Sequence, residues 1–401
     1  MRFVVLQPGA RLHYAVPAVL ARRGMLERLY TDAYAPAALA RWIGALPPWL
    51  VPRPLARLAG RRLPPELAGR VASAPIAAAA DGLARALRAR GVPLPWPGVE
   101  ERLRRRIARR AFDGAEGLYT LSNADLDLVR AAKARGLVVV HEQVIAPSVG
   151  RILREERRRF PGIEPQDAVE EIEGGIARDL EQWRLADLVL APSAFVREDV
   201  LAQGLAPGRV ALVPYGVGED WFAGEPRPVP GRVLFVGSVG LRKGVHHLAA
   251  AARLLRERGV PHEVRVVGPV RPEVLARPEF AGPSYVGPIP RARIRDEFLS
   301  ADVFVLPTLA EGCALVHLEA LACGLPVVTT PNCGSVVRDG VEGYLVPIRD
   351  ARALADRIQG LLEDRALRDR MSRCARERAR DHTWTRFEER MVAALDSIPR
   401  P

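Results

Sequence analysis

The chain has 401 residues, which is enough for about two domains, and 48% of them are hydrophobic. It contains no run of 18 uncharged apolar residues, which excludes a membrane-spanning helix. Only four apolar residues follow Met1 and Arg2, too few for an export signal. The four cysteines form no CxxC pair and are predicted to be reduced thiols, so the chain is expected to be cytoplasmic.

The positive charge, +12 in total, is concentrated in the first quarter of the chain. Residues 1–110 hold 20 arginines and 6 acids, whereas residues 111–401 hold 39 basic residues and 41 acids. This imbalance predicts a basic surface for anionic lipid head groups on the inner face of a membrane, with nucleic acid the less favoured partner. A solvated arginine-rich face without any partner explains the same imbalance.

The first half of the chain alternates apolar strands with helices. Residues 35–112 are predicted to be irregular, with basic helical stretches at 81–90 and 101–110. The other predicted elements are strands over 3–6, 29–31, 117–121, 137–140, 188–190 and 209–213, and helices over 14–24, 124–135, 167–184 and, with Ser193 as N-cap, up to residue 203. Such alternation predicts a parallel sheet with helices on both faces.

A stretch rich in glycine and proline, residues 214–231, is predicted to be a linker because it holds eight residues of these two types. It separates a first domain, 1–213, from a second domain, 232–380. The second domain is predicted to hold strands over 233–236, 264–267, 303–306, 327–329 and 344–346, with helices over 243–258, 290–300, 313–323, 351–363 and 366–380. This pattern is doubly wound α/β, in which ligands bind at the carboxyl ends of the strands.

The segment 235–244 reads FVGSVGLRKG and places a glycine-containing loop between a strand and a helix. Backbone N–H groups in such a loop can approach an oxyanion, and Arg242 and Lys243 add full positive charge. Lys243 is one of only two lysines beside 57 arginines, which suggests that a guanidinium would not fit there. The glycine spacing matches neither a dinucleotide fingerprint nor a P-loop, and a tight turn with exposed cations explains the segment equally well.

A second segment, EGCALVHLE over 311–319, carries two carboxylates eight residues apart around a predicted helix start. Carboxylates accept hydrogen bonds from sugar hydroxyls, and the amides of residues 313–315 could hold phosphates between them. Glutamates at this spacing are common on helices. Glu319, however, lies within an apolar run, where an unpaired carboxylate is costly.

Together these segments resemble the donor-binding domain of the family 4 glycosyltransferases of the GT-B fold. The resemblance runs from residue 233 to about 347 through FVGSVGLRKGV, ADVFVLP and EGCALVHLEALACGLPVV, with Glu311 and Glu319 on the paired glutamates of the family. The first half is similar only in PSAFVREDVLAQG, VPYGV and His141. The resemblance implies two Rossmann-like, doubly wound domains that face each other across a cleft, with a last helix, in 381–401, that returns to the first domain.

The resemblance also implies a set of donor-binding residues, namely Ser238, Arg242, Lys243, Glu311, Cys313, Ala314, Leu315 and Glu319. Lys243 and Arg242 would bind the diphosphate of a nucleoside diphosphate sugar. Glu319 would hold the ribose hydroxyls and Glu311 the transferred sugar, while the backbone at Ala314 and Leu315 would meet phosphate oxygens. The catalytic residues would be His141, Lys243 and Glu311, in a transfer that retains the anomeric configuration without a protein nucleophile, a bound metal or a tightly bound cofactor.

The chain departs from the family at three places. Many members have arginine where this chain has Ser238, and many have Phe-Gly where it has Cys313 and Ala314. The loop after the first strand has one glycine, Gly9, where members often have two, which leaves the acceptor-side phosphate contacts open. The acceptor itself is expected to be a glycan or a lipid-linked saccharide in cell-envelope or polysaccharide synthesis.

Residues 36–110 carry 15 arginines, 4 acids and the aromatic residues Trp42, Trp49 and Trp96. This is the composition of an interfacial membrane anchor, although prolines break any long helix and an ordinary basic helical insertion fits as well. Three rival functions remain at this stage: a non-enzymatic membrane or nucleic-acid binding protein, another GT-B activity such as an epimerase or a phosphorylase, and a nicotinamide enzyme. The last lacks its glycine fingerprint in both strand–helix turns.

Overall fold

The computed structural model describes residues 1–47, 50–88, 98–122 and 126–399. The chain separates into two compact units, and each consists of two pieces of sequence. The first unit is Met1–Glu142 with Arg178–Val189, and the second is Gln143–Ala177 with Leu190–Pro401. The functional boundaries placed around a linker at 214–231 stay predictions.

The first sheet has seven strands in the order β3-β2-β1-β4-β5-β6-β7. These strands are β1 (Phe3–Leu6), β2 (Leu26–Thr31), β3 (Val71–Ser73), β4 (Gly117–Leu121), β5 (Val138–Glu142), β6 (Leu188–Ala191) and β7 (Val210–Leu212). The ladders that join β1 through β5 are parallel. Every residue of β1 and of β5 is buried, as expected for strands that are covered on both faces.

Nine helices are described in the first half of the chain. They are α1 (Ala15–Arg22), α2 (Ala37–Gly44), α3 (Arg53–Ala59), α4 (Pro75–Arg88), α5 (Val99–Arg109), α6 (Leu126–Lys133), α7 (Val149–Arg159), α8 (Val169–Leu185) and α9 (Ala194–Ala202). Ser193 caps α9 as predicted, because its hydroxyl oxygen accepts the Val196 N–H at 3.3 Å. No helix of the described ranges is long and apolar enough to span a bilayer.

The second sheet has six strands in the order β10-β9-β8-β11-β12-β13, and all five ladders are parallel. The strands are β8 (Arg232–Val236), β9 (Glu263–Val267), β10 (Ser284–Gly287), β11 (Val303–Leu306), β12 (Val327–Thr329) and β13 (Gly343–Leu345). The helices are α10 (Val245–Glu257), α11 (Pro272–Leu275), α12 (Arg291–Leu299), α13 (Leu315–Ala322), α14 (Ala351–Glu363), α15 (Arg365–Arg380) and α16 (Trp384–Asp396). This is the doubly wound pattern that the sequence predicts.

The segment 35–112 is more regular than predicted. Its described part holds α2 to α5, together with β3, which pairs in parallel with β2 at one edge of the first sheet. Strand β3 was not predicted because its three residues, Val71–Ser73, show no continuous apolar run, and only the middle one is buried. Part of the predicted insertion at 36–110 therefore belongs to the sheet itself.

Three further local predictions were wrong. Helix α7 and the edge strand β10 were not foreseen, because α7 is highly charged and β10 alternates exposed with half-buried residues. Strand β5 continues two residues beyond its predicted end, since its pairing with β4 extends through Thr120 with His141 and Leu121 with Glu142. His141 therefore lies within the last two residues of a strand and not after it.

Candidate donor site

The two segments singled out in the second half follow neighbouring strands. Residues 237–244 follow β8, and residues 307–314 follow β11, which pairs directly with β8. The sheet order reverses between these two strands, because β9 and β10 lie on one side and β12 and β13 on the other. Ligands of open α/β sheets bind at this point, outside the carboxyl ends of the strands.

Backbone contacts fix the loop after β8 against the loop after β11. The Leu309 N–H and the Thr308 hydroxyl both donate to the Arg242 carbonyl, each at 2.8 Å. Gly244 has a φ of +69°, and a Cβ there would lie 1.9 Å from the Pro307 carbonyl oxygen. Glycine is therefore required at this position for two reasons, the left-handed backbone and the close approach of a second chain segment.

Two cations converge on one carboxylate at the centre of this site. The Lys243 Nζ lies 2.5 Å from Glu311 Oε1, and an Arg242 Nη pairs with the same oxygen. Arg242 also donates to the Ala310 carbonyl at 3.3 Å. The side chain of Lys243 is 14% exposed and that of Glu311 is 13% exposed, so the pair lies in a partly dehydrated place where charges interact more strongly than in water.

Glu311 lies outside the helix that follows it. Its N–H donates to the Asn332 carbonyl at 2.9 Å, and α13 begins only at Leu315. The N-cap residue Ala314 is extended and provides no side-chain hydrogen bond to the helix start. The side chain of Ala314 therefore does not cap the first backbone amides of α13. These amides lie a few residues after Glu311 in the chain.

Glu319 is 4% exposed on α13 and is held by a cation that the sequence analysis missed. Arg291 Nη2 donates to Glu319 Oε1 at 2.5 Å, and its guanidinium lies over the ring of Trp221 at 4.7 Å from the ring centroid. Arg291 lies 28 positions before Glu319, at the start of α12. No sequence pattern links two residues so far apart, so this contact could not be predicted from the sequence.

A neutral imidazole lies behind the site. His317 is 1% exposed on α13, and its ring nitrogens lie 3.3 and 3.4 Å from the Cys333 Sγ. Burial, with the nearby charge of Lys243 in addition, lowers the pKa of His317 to about 3. Burial likewise raises the pKa of the Cys333 thiol. Both groups are uncharged near neutral pH and serve as packing for the site.

The remaining predicted donor residues have different degrees of exposure. Ser238 is exposed in the loop after β8, whereas Cys313 is half-buried between Glu311 and α13. Ala314 is buried and Leu315 is half-buried. The structure thus brings Arg242, Lys243 and Glu311 into direct contact and places the other donor residues around them on the same two loops and on α13.

His141 and Gly9 belong to the first unit. His141 is 1% exposed, and its Nδ1 lies 3.0 Å from the Thr120 hydroxyl oxygen on the neighbouring strand. Gly9 follows β1 with a φ of +78°, and its N–H donates to Asp32 Oδ1 at 2.8 Å. Both residues therefore lie at the carboxyl ends of central strands of their own sheet. Ligands of open α/β sheets bind at this end of the strands.

Sequence comparison matches residues 230–364 to a family described as glycosyl transferases group 1. Three curated proteins illustrate the similarity along the chain. The alpha-maltose-1-phosphate synthase of Mycolicibacterium smegmatis is 29% identical over 328 residues, which cover 70% of this chain and 83% of that protein. A D-inositol 3-phosphate glycosyltransferase of Pseudarthrobacter chlorophenolicus is 28% identical and covers 71% of each chain, and the putative colanic acid biosynthesis glycosyltransferase WcaL of Salmonella typhimurium is 27% identical over 54% of this chain and 58% of its own length.

Solved structures share the fold over nearly the whole chain. Anabaena HepE in complex with UDP and glucose superimposes with a TM-score of 0.64 at 15% identity, covering 99% of this chain and all of HepE. A sucrose-phosphate synthase from Thermosynechococcus elongatus superimposes with a TM-score of 0.62 at 19% identity, covering 99% of this chain and 98% of its own. At such low identity the likeness establishes the fold.

Proposed function

Because this chain belongs to the group 1 glycosyltransferases, which have the GT-B fold, we propose that it moves a sugar from a nucleoside diphosphate sugar to an acceptor with retention at the anomeric carbon. The family, the fold class and the glycosyltransferase activity predicted from the sequence are confirmed. The retaining outcome, the donor, the acceptor and the residue roles are the proposal. It rests above all on the convergence of Lys243 and Arg242 on Glu311 at the switch point of the second sheet.

This convergence supports the proposal because it matches the charge pattern of the donor. The diphosphate is an anion and would take the two cations, whereas the transferred sugar offers hydroxyls to the carboxylate of Glu311. The amides of Ala314 and Leu315 would add hydrogen bonds to a phosphate oxygen. Glu319, which forms an ion pair with Arg291, would hold the ribose hydroxyls.

In the proposed reaction the bond between the anomeric carbon and the diphosphate oxygen breaks, and its electron pair leaves with the diphosphate. The acceptor oxygen forms a bond to the same face of that carbon, and its proton passes to the leaving phosphate oxygen. Lys243 and Arg242 stabilise the charge that develops on the diphosphate, which is the main catalytic contribution, and no metal is required for it. His141 is proposed to lie beside the transferred sugar.

The acceptor is proposed to be a glycan or a lipid-linked saccharide held by the domain at 1–213, through the loop of Gly9 among others. The curated relatives include a putative colanic acid biosynthesis glycosyltransferase and a sulfoquinovosyl transferase, so polysaccharide and lipid acceptors are the two classes to test first. The second domain at 232–380 is proposed to hold the donor, with 214–231 as linker and 381–401 as a helix that returns to the first domain.

The test of this proposal is a thermal-shift panel with UDP, GDP, ADP, CMP and NAD. The panel includes UDP because the structure of HepE was solved with it. A ligand at 100 times its dissociation constant should raise the free energy of unfolding by about 2.7 kcal/mol, which moves the melting temperature measurably. Stabilisation by one nucleoside diphosphate supports the donor site and identifies the base. Stabilisation by NAD alone, or by none of the five, contradicts the proposal.

A membrane contact is a second proposal, and it rests on exposed apolar side chains within the basic segment 36–110. Trp42 on α2 is 61% exposed, and Ile76 and Leu83 on α4 are 86% and 63% exposed. Large apolar groups beside an excess of arginine are typical of surfaces that enter an anionic lipid interface. Trp49 and Trp96, predicted for the same role, lie outside the described residues.

We predict that the protein sediments with vesicles rich in phosphatidylglycerol and that Ile76→Glu combined with Trp42→Glu lowers the bound fraction several-fold. The two added charges would have to leave water for the lipid interface, which is costly. Leu275→Glu on α11, where Leu275 is 42% exposed in the second unit, is the matched control and should bind as the wild type does. Equal binding to neutral and anionic vesicles, or an unaffected double variant, contradicts a specific membrane surface.

A further inference from the structure

A buried carboxylate on α7 holds the start of α10, the helix that follows residues 237–244, here called the donor loop. Glu156 is fully buried, and its Oε1 lies 2.7 Å from His246 Nε2 and 2.8 Å from His247 Nε2. Both histidines belong to the first turn of α10, which begins at Val245 directly after Lys243 and Gly244. The edge-on ring of Phe160 packs against both imidazoles, so their orientation is fixed from two sides.

Arg349 completes this group from the chain segment before α14. Its Nε donates to Glu156 Oε2 at 2.5 Å, and its Nη2 donates to the Ile152 carbonyl at 3.2 Å. Its backbone has a φ of 68°, an unfavourable conformation for a residue with a side chain, which these contacts offset. Burial alone would raise the pKa of Glu156, but the hydrogen bonds from both histidines and Arg349 lower it well below its usual range, so Glu156 is an anion.

The same three side chains, Glu156, His246 and His247, could also be read as metal ligands, because their ligating atoms lie within 4.8 Å of one another. The carboxylate, however, already carries the positive charge of Arg349 on its other oxygen. A divalent cation added there would leave a buried excess of positive charge, which is costly. A hydrogen-bonded network therefore explains this group better than a metal site does.

A second carboxylate from the same stretch of chain holds the other side of the donor loop. Glu164 Oε1 accepts the Leu241 N–H at 2.9 Å, and Arg157 Nε lies 3.5 Å from the other carboxylate oxygen of Glu164. Hydrogen bonds thus hold the loop on both sides of Lys243. Glu164 binds the backbone two residues before Lys243, and Glu156 binds the histidines three and four residues after it. Both carboxylates lie within residues 156–164, and no residue of this stretch binds the donor in the proposed function.

We propose that Glu156 and Glu164 are positioning residues that set where the ammonium of Lys243 meets the donor diphosphate. This role rests on the proposed function, because it assumes that Lys243 binds that diphosphate. The physical reason is that Lys243 lies between two anchored points of a short loop, so its Cα cannot move unless one of them is released. A displacement of about 1 Å at such a group can cost about a hundredfold in rate.

The test compares binding of UDP, GDP and ADP with binding of the matching nucleosides by calorimetry. Glu156→Gln and Glu164→Ala should each weaken binding of the nucleoside diphosphate by about tenfold, as a partial loss of one charge-assisted contact would. Binding of the nucleoside, which lacks phosphates, should change less than twofold. A variant that merely unfolded part of the protein would weaken binding of the nucleoside diphosphate and of the nucleoside alike. Glu164→Ala is less apt to unfold the protein than Glu156→Gln, because the side chain of Glu164 is 18% exposed.

Two control variants sharpen this comparison. Glu173→Gln removes a carboxylate on α8 whose side chain is 46% exposed and which pairs with Arg151 outside this network, so the variant should bind both ligands as the wild type does. Glu164→Gln keeps a side-chain oxygen that can accept the Leu241 N–H, and should restore most of the binding lost in Glu164→Ala. Tight zinc retention by the wild type that is lost in Glu156→Gln would overturn our preference for a hydrogen-bonded network at Glu156.

The outcomes separate the two proposals. If a nucleoside diphosphate binds the wild type and Lys243→Ala loses it, while Glu156→Gln and Glu164→Ala keep it, the positioning role is wrong and the proposed donor site stands. If none of the three diphosphates binds the wild type, the proposed function itself fails and the positioning role fails with it.

Discussion

Replacing Lys243 by glutamine should lower kcat/KM for sugar transfer by about 10³-fold, which corresponds to about 4 kcal/mol of transition-state stabilisation. The amide of glutamine carries no charge, so in the proposed reaction one of the two full positive charges assigned to the leaving diphosphate is lost. Arg242, whose side chain is 33% exposed, remains and should account for the residual rate. The measurement is a steady-state assay of nucleotide release with the donor found in the thermal-shift panel.

Two variants show whether this loss is specific to the ammonium at this place. Lys133→Gln is the matched control, because Lys133 is the only other lysine of the chain and pairs with Asp187 at 2.8 Å on α6 of the first unit. It should leave kcat/KM within twofold. Lys243→Arg should recover little of the lost rate, since the guanidinium of Arg242 already occupies the same oxygen of Glu311 and a second planar guanidinium is bulkier than the compact ammonium that it would replace. Full recovery by Lys243→Arg would mean that charge alone is needed there.

Most of the second domain could be predicted because its signals are local. The loop after β8 and the segment 311–319 each lie within ten residues, and each joins an apolar strand to a helix with recognisable chemistry in between. The longer helices of this half show their period in the sequence, and the predicted strands appear as short apolar runs between them. The rule that ligands of a doubly wound sheet bind at the carboxyl ends of its strands then places both loops at the same edge of the sheet without any knowledge of side-chain contacts.

The contacts that sequence could not reveal are those between distant segments. Arg291 reaches Glu319 from another helix, and Arg349 reaches Glu156 across 193 positions of the chain. Residue type and spacing carry no signal for such pairs, since any arginine can pair with any glutamate. The buried Glu156 illustrates this well: in the sequence it lies within a run of charged residues that indicates only a solvent-exposed segment.

The two strands that the sequence did not predict, β3 and β10, each lie at one edge of a sheet. Strand β3 has three residues, and β10 has four with alternating exposure, so neither shows the continuous apolar run of a central parallel strand. Central strands such as β1 and β11 are buried along their whole length and were predicted within one residue. Burial on both faces therefore helped the prediction of a strand but was not required for it, since the edge strands β7 and β13 are only partly buried and were predicted.

Replacing Gly312 by alanine should both destabilise the protein and weaken donor binding. A Cβ at position 312 would lie 1.7 Å from the Val144 carbonyl oxygen, and backbone on both sides would have to move to make room. The Gly312 carbonyl is itself held by the Ser193 hydroxyl at 2.5 Å, so its own segment cannot simply swing away. Overpacking of this kind costs about 1–3 kcal/mol, and here the strain falls next to Glu311.

Gly360→Ala provides the matched control for Gly312→Ala, because the same substitution is made on α14 where a Cβ would meet nothing within 4 Å. There it should raise stability by up to about 1 kcal/mol, since alanine is the better helix former. We therefore expect the two variants to move the melting temperature in opposite directions, and only Gly312→Ala to weaken binding of the nucleoside diphosphate. If Gly312→Ala melts and binds as the wild type does, the segments at 144 and 312 are not in close contact in solution. The tight placement of Glu311 opposite Lys243 would then lose its main steric support.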